Sequence, residues 1–169
     1  MRLTRRHLLA SGAFVASASL ASAAAVAVRW WDQDAAAPYR FLSADEVQFL
    51  DAVAELVFPA GGSPTLGGRE AQVGRFLDFV YAGIPETQRN LLRLSFHAVD
   101  ALPLATHGTQ FHALAPPDAE ALFREWLQHP RAELRGIAQS LHIFVGMAYL
   151  THPDVAPTVS AFFTCGWGR

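Results

Sequence analysis

Histidine has the widest chemical repertoire of the side chains in this sequence, because an imidazole near neutral pH serves as a general base, a proton relay or a metal ligand. Seven histidines are present, and six lie beyond residue 30: His97, His107, His112, His129, His142 and His152. No two of these six stand four positions apart, which is the spacing that places two metal ligands on one face of a helix. His107 and His112 fall in a loop-like segment without an adjacent carboxylate. The spacing therefore argues against a metal site built from paired histidines.

The other four histidines have structural explanations. His97 and Asp100 are three positions apart on one helix face, a spacing that orients an imidazole but is more typical of a solvated surface. His142 lies next to an apolar stripe, which predicts a partly buried, hydrogen-bonded side chain. His129 and His152 each precede a proline at the predicted end of a helix, where a cation complements the negative end of the helix dipole. We therefore expect helix capping from these last two.

The chain has one cysteine, Cys165, which excludes an internal disulfide framework, a cysteine-rich metal site and a paired thiol–disulfide catalyst. The sequence contains no C-x-x-C-H haem attachment and no serine in a nucleophile elbow. Four glycines between residues 60 and 68 match neither a dinucleotide-binding nor a Walker spacing, and no strand precedes them, so they predict a turn. Together these patterns predict a helical protein with no catalytic residue, no metal and no cofactor of its own.

Composition limits the class of protein further. The chain has 169 residues, of which 51% are apolar, which is enough for one domain with a real core. Its 13 basic residues are all arginine and face 15 acidic residues, a net charge of −2 that argues against a nucleic-acid partner. Four tryptophans and twelve phenylalanines are generous for this size and suggest a surface for a protein partner.

The first 27 residues predict an export signal. Arg5 and Arg6 are separated by one residue from an apolar pair, Leu8 and Leu9, and an uncharged run rich in alanine and serine follows up to residue 28. This pattern is typical of a twin-arginine signal and predicts a periplasmic protein, whereas a plain basic N-terminal arm explains it less well. Cleavage after residue 25 or 27 fits the spacing of small residues, and loss of residues 1–27 changes the net charge from −2 to −5.

An uncleaved anchor is the alternative fate of this segment. Twenty-one residues of helix reach about 31 Å, which spans the hydrocarbon core of a bilayer. Trp30 and Trp31 follow directly, as the aromatic residues of a membrane interface do. Association with the inner membrane therefore stays open beside cleavage.

After a linker over residues 28–41, residues 42–169 predict one all-α domain of about five helices. The clearest helix begins at Ser43, because Ser43 and Glu46 have the spacing of a capping box, and it ends at Phe58-Pro59. Apolar residues at helical spacing, bounded by proline and glycine, predict four more helices, over residues 73–81, 85–102, 117–127 and 131–151. Residues 103–116 read as irregular and residues 159–164 as extended, and no hairpin pattern is present.

Three features in this order resemble one known family. The first is the Arg5-Arg6 start. The second is the run from Leu42 to Phe58-Pro59 with its Gly/Pro loop and the following stretch 70–78. The third is the distal pattern of Trp126, Leu134-Arg135 and residues 147–155, with an aromatic, glycine-ending tail. The chain thereby resembles the gluconate 2-dehydrogenase subunit 3 family over most of its mature length. The tail, which stops at Gly166-Trp167-Gly168-Arg169, is shorter than this family's pattern.

The resemblance implies a non-catalytic small subunit of a periplasmic flavin-dependent sugar or sugar-acid dehydrogenase. It implies that FAD and the substrate site belong to a large subunit, that haem belongs to a multihaem cytochrome c subunit, and that the small subunit supports export, folding and stability of the large one. The alternative is a free-standing periplasmic helical binding module anchored by its N-terminus.

Aromatic residues near both ends are candidates for the partner interface, since obligate interfaces are rich in aromatic side chains. The candidates are Trp30, Trp31, Phe162, Phe163, Cys165 and Trp167. In an exported protein, a lone cysteine pairs with another chain or stays a free thiol. We expect Cys165 either to form an intersubunit disulfide or to be buried as a thiol at the interface. A buried, inert thiol inside this chain is the alternative.

Overall fold

The computed structural model describes residues 33–160, and the fold within that range is helical. The elements in chain order are α1 (Ala44–Val57), α2 (Val73–Gly83), α3 (Glu86–Ala101), α4 (Leu104–His107), a 3₁₀ turn (Phe111–Ala113), α5 (Pro116–Leu127), α6 (Ala132–Leu150) and α7 (Ala156–Ser160). No strand occurs in this part of the chain, which confirms the predicted all-α class.

The five predicted helices correspond to α1, α2, α3, α5 and α6, with ends within two residues of the expected positions. Helices α4 and α7 and the 3₁₀ turn were not predicted, because each is too short to show a hydrophobic period. Helix α7 includes Val159 and Ser160, so the extended conformation expected from residue 159 is wrong for these two residues.

Helix α1 begins as the capping box predicts. The Ser43 hydroxyl accepts the backbone N–H of Glu46, and the Glu46 carboxylate accepts the backbone N–H of Ser43 at 2.7 Å. Each bond satisfies an N–H that the first turn of a helix leaves without an intrahelical partner. The helix then buries Phe49, Leu50 and Val53, and it packs against α2, α3, α5, α6 and the 3₁₀ turn. Helix α1 is therefore the central element of the core.

A chain of aromatic rings joins α1 to the second half of the domain. The ring of Phe49 lies 6.0 Å from that of Phe96 on α3 and 5.9 Å from that of Phe111, measured between centroids. Phe111 in turn lies 5.1 Å from Trp126 on α5. Because Phe111 is only 1% exposed, its burial holds the 3₁₀ turn in place within a stretch that reads as irregular in the sequence.

The glycine-rich stretch after α1 is a turn, as predicted. The N–H of Gly68 donates to the carbonyl of Phe58, and a Cβ at Gly68 would overlap the carbonyl of Ala54, so glycine is required where the loop crosses the end of α1. The Glu55 carboxylate accepts the backbone N–H groups of Ala60 and Arg69, which ties both ends of the loop to α1. The loop is thus built to turn the chain from α1 into α2.

Candidate functional site

Ten residues predicted as sites lie outside the residues that the structure describes. They are the signal residues Arg5, Arg6, Leu8 and Leu9 and the partner-interface candidates Trp30, Trp31, Phe162, Phe163, Cys165 and Trp167. Their roles stay predictions from the sequence.

The most concentrated group of titratable side chains in the described range surrounds Glu46, which is 1% exposed at the start of α1. Its Oε1 atom accepts a hydrogen bond from Nε of Arg93 at 2.7 Å, and Nε2 of His97 lies 3.3 Å from the same oxygen. The other oxygen, Oε2, accepts the N–H of Ser43. One buried carboxylate therefore connects the N-terminus of α1 with two side chains of α3.

The Glu46 carboxylate is held in its charged form. Burial by itself raises the pKa of Glu46, but the neighbouring His97 imidazole and the hydrogen bonds from Arg93 and the Ser43 backbone outweigh burial and lower the pKa below its ordinary value. A buried charge is tolerated when it is paired and hydrogen-bonded in this way. This group acts as an electrostatic tie between two helices.

Tyr81 on α2 belongs to the same neighbourhood but has the opposite character. Its side chain is fully buried, and its hydroxyl has no hydrogen-bond partner among the described residues. Burial, and after it the negative charge of Glu46, raises the pKa of Tyr81 well above its ordinary value of 10.0. Tyr81 is thus a neutral phenol at every physiological pH, and its ring fills the core.

A second buried pair corrects the prediction that no carboxylate lies next to His112. Asp100, 2% exposed on α3, accepts a hydrogen bond from Nδ1 of His112 at 2.8 Å and the backbone N–H of the same residue at 3.0 Å. The eleven intervening residues fold back, which brings the two together although they are distant in the sequence. The bond to Nδ1 fixes the orientation of the His112 ring. The other ring nitrogen, Nε2, takes no part in this bond.

The prediction of a solvated face for His97 and Asp100 is also wrong, because both side chains are buried. A signal for this was present: Arg93, His97 and Asp100 follow at helical spacing and flank the apolar Phe96 and Val99. Polar residues inside an apolar stripe indicate buried ion pairs when the facing helix supplies partners, as α1 and the 3₁₀ turn do here.

His112 lines a crevice of about 440 Å³ between α1, the glycine-rich loop and α5. Glu55 and Glu120 line it as well, but Glu55 accepts backbone N–H groups of the loop and Glu120 pairs with Arg124. Within residues 33–160 no three histidine, cysteine or acidic side chains are grouped so that they could hold a metal ion. The crevice therefore offers one oriented imidazole beside carboxylates that are already engaged.

The other histidines differ from expectation in their surroundings. His142 is exposed rather than partly buried, with its ring centroid 6.5 Å from that of Phe123. In His129 and His152, Nδ1 accepts the backbone N–H of the residue two positions later, Arg131 and Asp154 respectively. These bonds place the two imidazoles against the turns that follow α5 and α6.

The described part of the chain also contains no helix with the length and apolarity needed to cross a bilayer.

The fold and these contacts define a small all-helical domain whose buried charged groups join its helices. A family model for gluconate 2-dehydrogenase subunit 3 matches residues 44–164, which is most of the chain from α1 onward. The chain belongs to this family, which confirms the resemblance found in the sequence. The family is a subunit of a multi-subunit gluconate dehydrogenase complex, and membership indicates an accessory role in such a complex. Comparison with curated protein sequences and with solved structures gives no significant match.

Proposed function

We propose that this protein is the non-catalytic small subunit of a periplasmic flavin-dependent sugar or sugar-acid dehydrogenase, and that the large subunit needs it for export, folding and stability. The observation that carries the proposal is the family match, which extends over every helix from α1 to α7. In this proposal FAD is held by the large subunit, and electrons pass on to a multihaem cytochrome c subunit.

The predicted signal supports an export role. The twin-arginine route moves folded proteins, so one signal on the small subunit suffices to carry a cofactor-loaded partner with it. The acidic groups fit the accessory role as well, because the buried Glu46 and Asp100 and the partly buried Glu55 all accept hydrogen bonds from this chain. They maintain the fold, and the chemistry is assigned to the partner.

Purification of the tagged chain from its native periplasm or membrane tests the proposal. The expected result is a complex in which a larger chain carries the flavin absorbance, and in which this chain, once separated, holds neither flavin nor metal and oxidises no sugar. Stoichiometric flavin on the separated chain would refute the non-catalytic role. A monodisperse chain recovered without any flavoprotein would favour the free-standing binding module.

A further inference from the structure

Helices α3 and α6 both pack against α1, and a groove of about 320 Å³ lies between them. We propose that this α3–α6 groove, together with the outer face of α6, is the surface that docks an apolar, uncharged helix of the large subunit. This inference rests on the proposed function for the identity of the partner, and on the following observations for the location.

The groove presents an apolar surface. Its walls include Leu92 and Phe96 from α3 and Ile137 and Phe144 from α6. Two serines also line it, but the Ser95 hydroxyl donates to the carbonyl of Leu91 at 2.9 Å and the Ser140 hydroxyl donates to that of Gly136 at 2.8 Å. Because both hydroxyl protons are used within their own helices, an occupant does not need to supply acceptors for them.

Helix α6 carries two apolar seams on opposite sides. Residues at alternating spacings of four and three form the inner seam, which packs in the core: Leu134, Ala138, Leu141, Val145 and Ala148. The same spacing recurs on the outer seam, which is Gly136, Ser140, Ile143, Met147 and Leu150. Ile143 is 61% exposed and Met147 48% exposed. This spacing is the one that packs another helix, and large apolar side chains exposed along one face mark an interaction surface.

Gly136 gives an independent indication. It lies inside α6, where glycine is less favourable than alanine, yet a Cβ at this position would meet nothing within 4 Å. Nothing inside the described fold requires a glycine there. Since Gly136 lies both on the outer seam and in the groove, its missing side chain permits the close approach of another backbone.

The charge pattern identifies the kind of occupant. No aspartate, glutamate, lysine or arginine occurs from Gly136 to Thr151, and His142 belongs to neither the groove lining nor the outer seam, so the face complements an uncharged apolar surface rather than a charged one. At the N-terminal end of the groove, Glu133 is exposed and forms no ion pair within the described residues. An arginine or lysine that flanks the uncharged helix in the large subunit and lies opposite Glu133 would set the direction in which the helix docks. A second copy of this chain or its own tail is the competing occupant.

The test uses the full tagged chain co-expressed with the large subunit and measures bound flavin per small subunit. Ile143→Glu combined with Met147→Glu should lower this ratio at least tenfold. Phe79→Glu is the matched control, because Phe79 is 77% exposed on α2 and does not line the groove, and it should keep the wild-type ratio. Gly136→Leu should also lower the ratio while it maintains or raises the melting temperature, since leucine is the better helix former.

Oxidation by hydrogen peroxide gives a second readout. Met147 is the only methionine after residue 1, so its sulfoxide reports on this face alone. It should be protected in the complex and oxidised in the chain expressed alone.

A wild-type flavin ratio in the Ile143→Glu/Met147→Glu variant would overturn the docking site, although the proposed function would stand. Absence of flavoprotein from the unmodified chain would instead refute the proposed function. Met147 could also be protected in the isolated chain. If this protection is lost when a dimer dissociates, the face belongs to a second copy; if it is lost when residues 161–169 are deleted, the face belongs to the tail. Either result would overturn the proposal.

Discussion

At the scale of single residues, the molecule depends on a few buried ionisable side chains that have been paired inside the core. Glu46 is the most consequential of these, because its carboxylate receives hydrogen bonds from the capping box and from Arg93 and lies against His97. An isolated charge in that position would be strongly unfavourable, and removal of one partner leaves the other charged group without compensation.

Glu46→Gln should therefore destabilise the fold by about 3 kcal/mol at pH 7, because Arg93 stays charged and largely buried without its counter-ion. Urea denaturation measures this loss. Glu120→Gln is the matched control: Glu120 pairs with Arg124 at the exposed surface of α5, so the free energy of unfolding should change by less than about 0.5 kcal/mol. Equal effects of the two substitutions would contradict the structural role of Glu46.

Glu46 should also make the stability of the folded protein sensitive to acid. The pKa of Glu46 is lower in the folded protein than its ordinary value of 4.5, so its stabilising contribution is fully present above pH 4.5 and is lost as the pH falls through the lower folded-state pKa. Denaturation midpoints measured between pH 7 and pH 3 should fall more steeply in the wild-type protein than in Glu46→Gln. Parallel curves would show that Glu46 does not contribute to the acid transition.

Tyr81→Phe should leave stability at pH 7 unchanged or raise it by up to about 1 kcal/mol, because it removes a buried hydroxyl that has no partner in the described range. The pKa of Tyr81 is raised in the folded protein, so its contribution is present below pH 10 and is lost as the pH rises further. The variant should therefore lose less stability than the wild-type protein between pH 9 and pH 11 in thermal melts. A loss of more than 1 kcal/mol at pH 7 would indicate a hydrogen bond of that hydroxyl that the fold needs.

At the scale of elements, the connection from α1 to α2 is the segment least tolerant of substitution. Gly68→Ala should destabilise the protein by about 2 kcal/mol, because the new Cβ meets the rigid backbone of Ala54. Gly83→Ala, at the end of α2 where a Cβ meets nothing within 4 Å, is the control and should be close to neutral. Thermal melts of both variants measure the difference in stability. If Gly68→Ala has the same melting temperature as the wild-type protein, the loop can move away from α1.

At the scale of the whole molecule, export and assembly are the properties that follow from the proposed function. Arg5→Lys combined with Arg6→Lys should retain both this chain and the large subunit in the cytoplasm, because lysine does not reproduce the guanidinium fork. Cell fractionation followed by immunoblotting of both chains is the measurement, and Arg2→Lys outside the pair is the control. Normal periplasmic dehydrogenase activity in the double variant would exclude the twin-arginine route.

The chemical state of Cys165, near the C-terminus, is a second test of assembly with the large subunit. If it forms an intersubunit disulfide, non-reducing electrophoresis of the native complex should show a band at the summed mass of two subunits that collapses with reductant. If it is instead a buried interface thiol, it should resist alkylation in the intact complex and react after dissociation. Separate bands together with ready alkylation in the intact complex would refute both forms.

Much of the secondary structure could be predicted from short-range patterns. Ser43 and Glu46 marked the start of α1, and proline residues marked where helices stop, since both act within one turn of their own backbone. The candidate surface could be predicted less well. The outer seam of α6 has the same spacing as the inner one but includes Gly136 and Ser140, so the sequence marks the inner seam as the core face and does not mark the outer one as a surface for a partner.

The sequence by itself determined the helical class, the five main helices and the family resemblance, because capping, helix termination and hydrophobic period are local properties of the chain. Only the tertiary structure decided which polar residues are buried together. Glu46 and Arg93 are 47 positions apart and Asp100 and His112 are 12 apart, so no local pattern links them. Their pairing depends on how α1, α3 and the 3₁₀ turn pack, and in that packing a buried charge is tolerated only where a partner lies within hydrogen-bond distance.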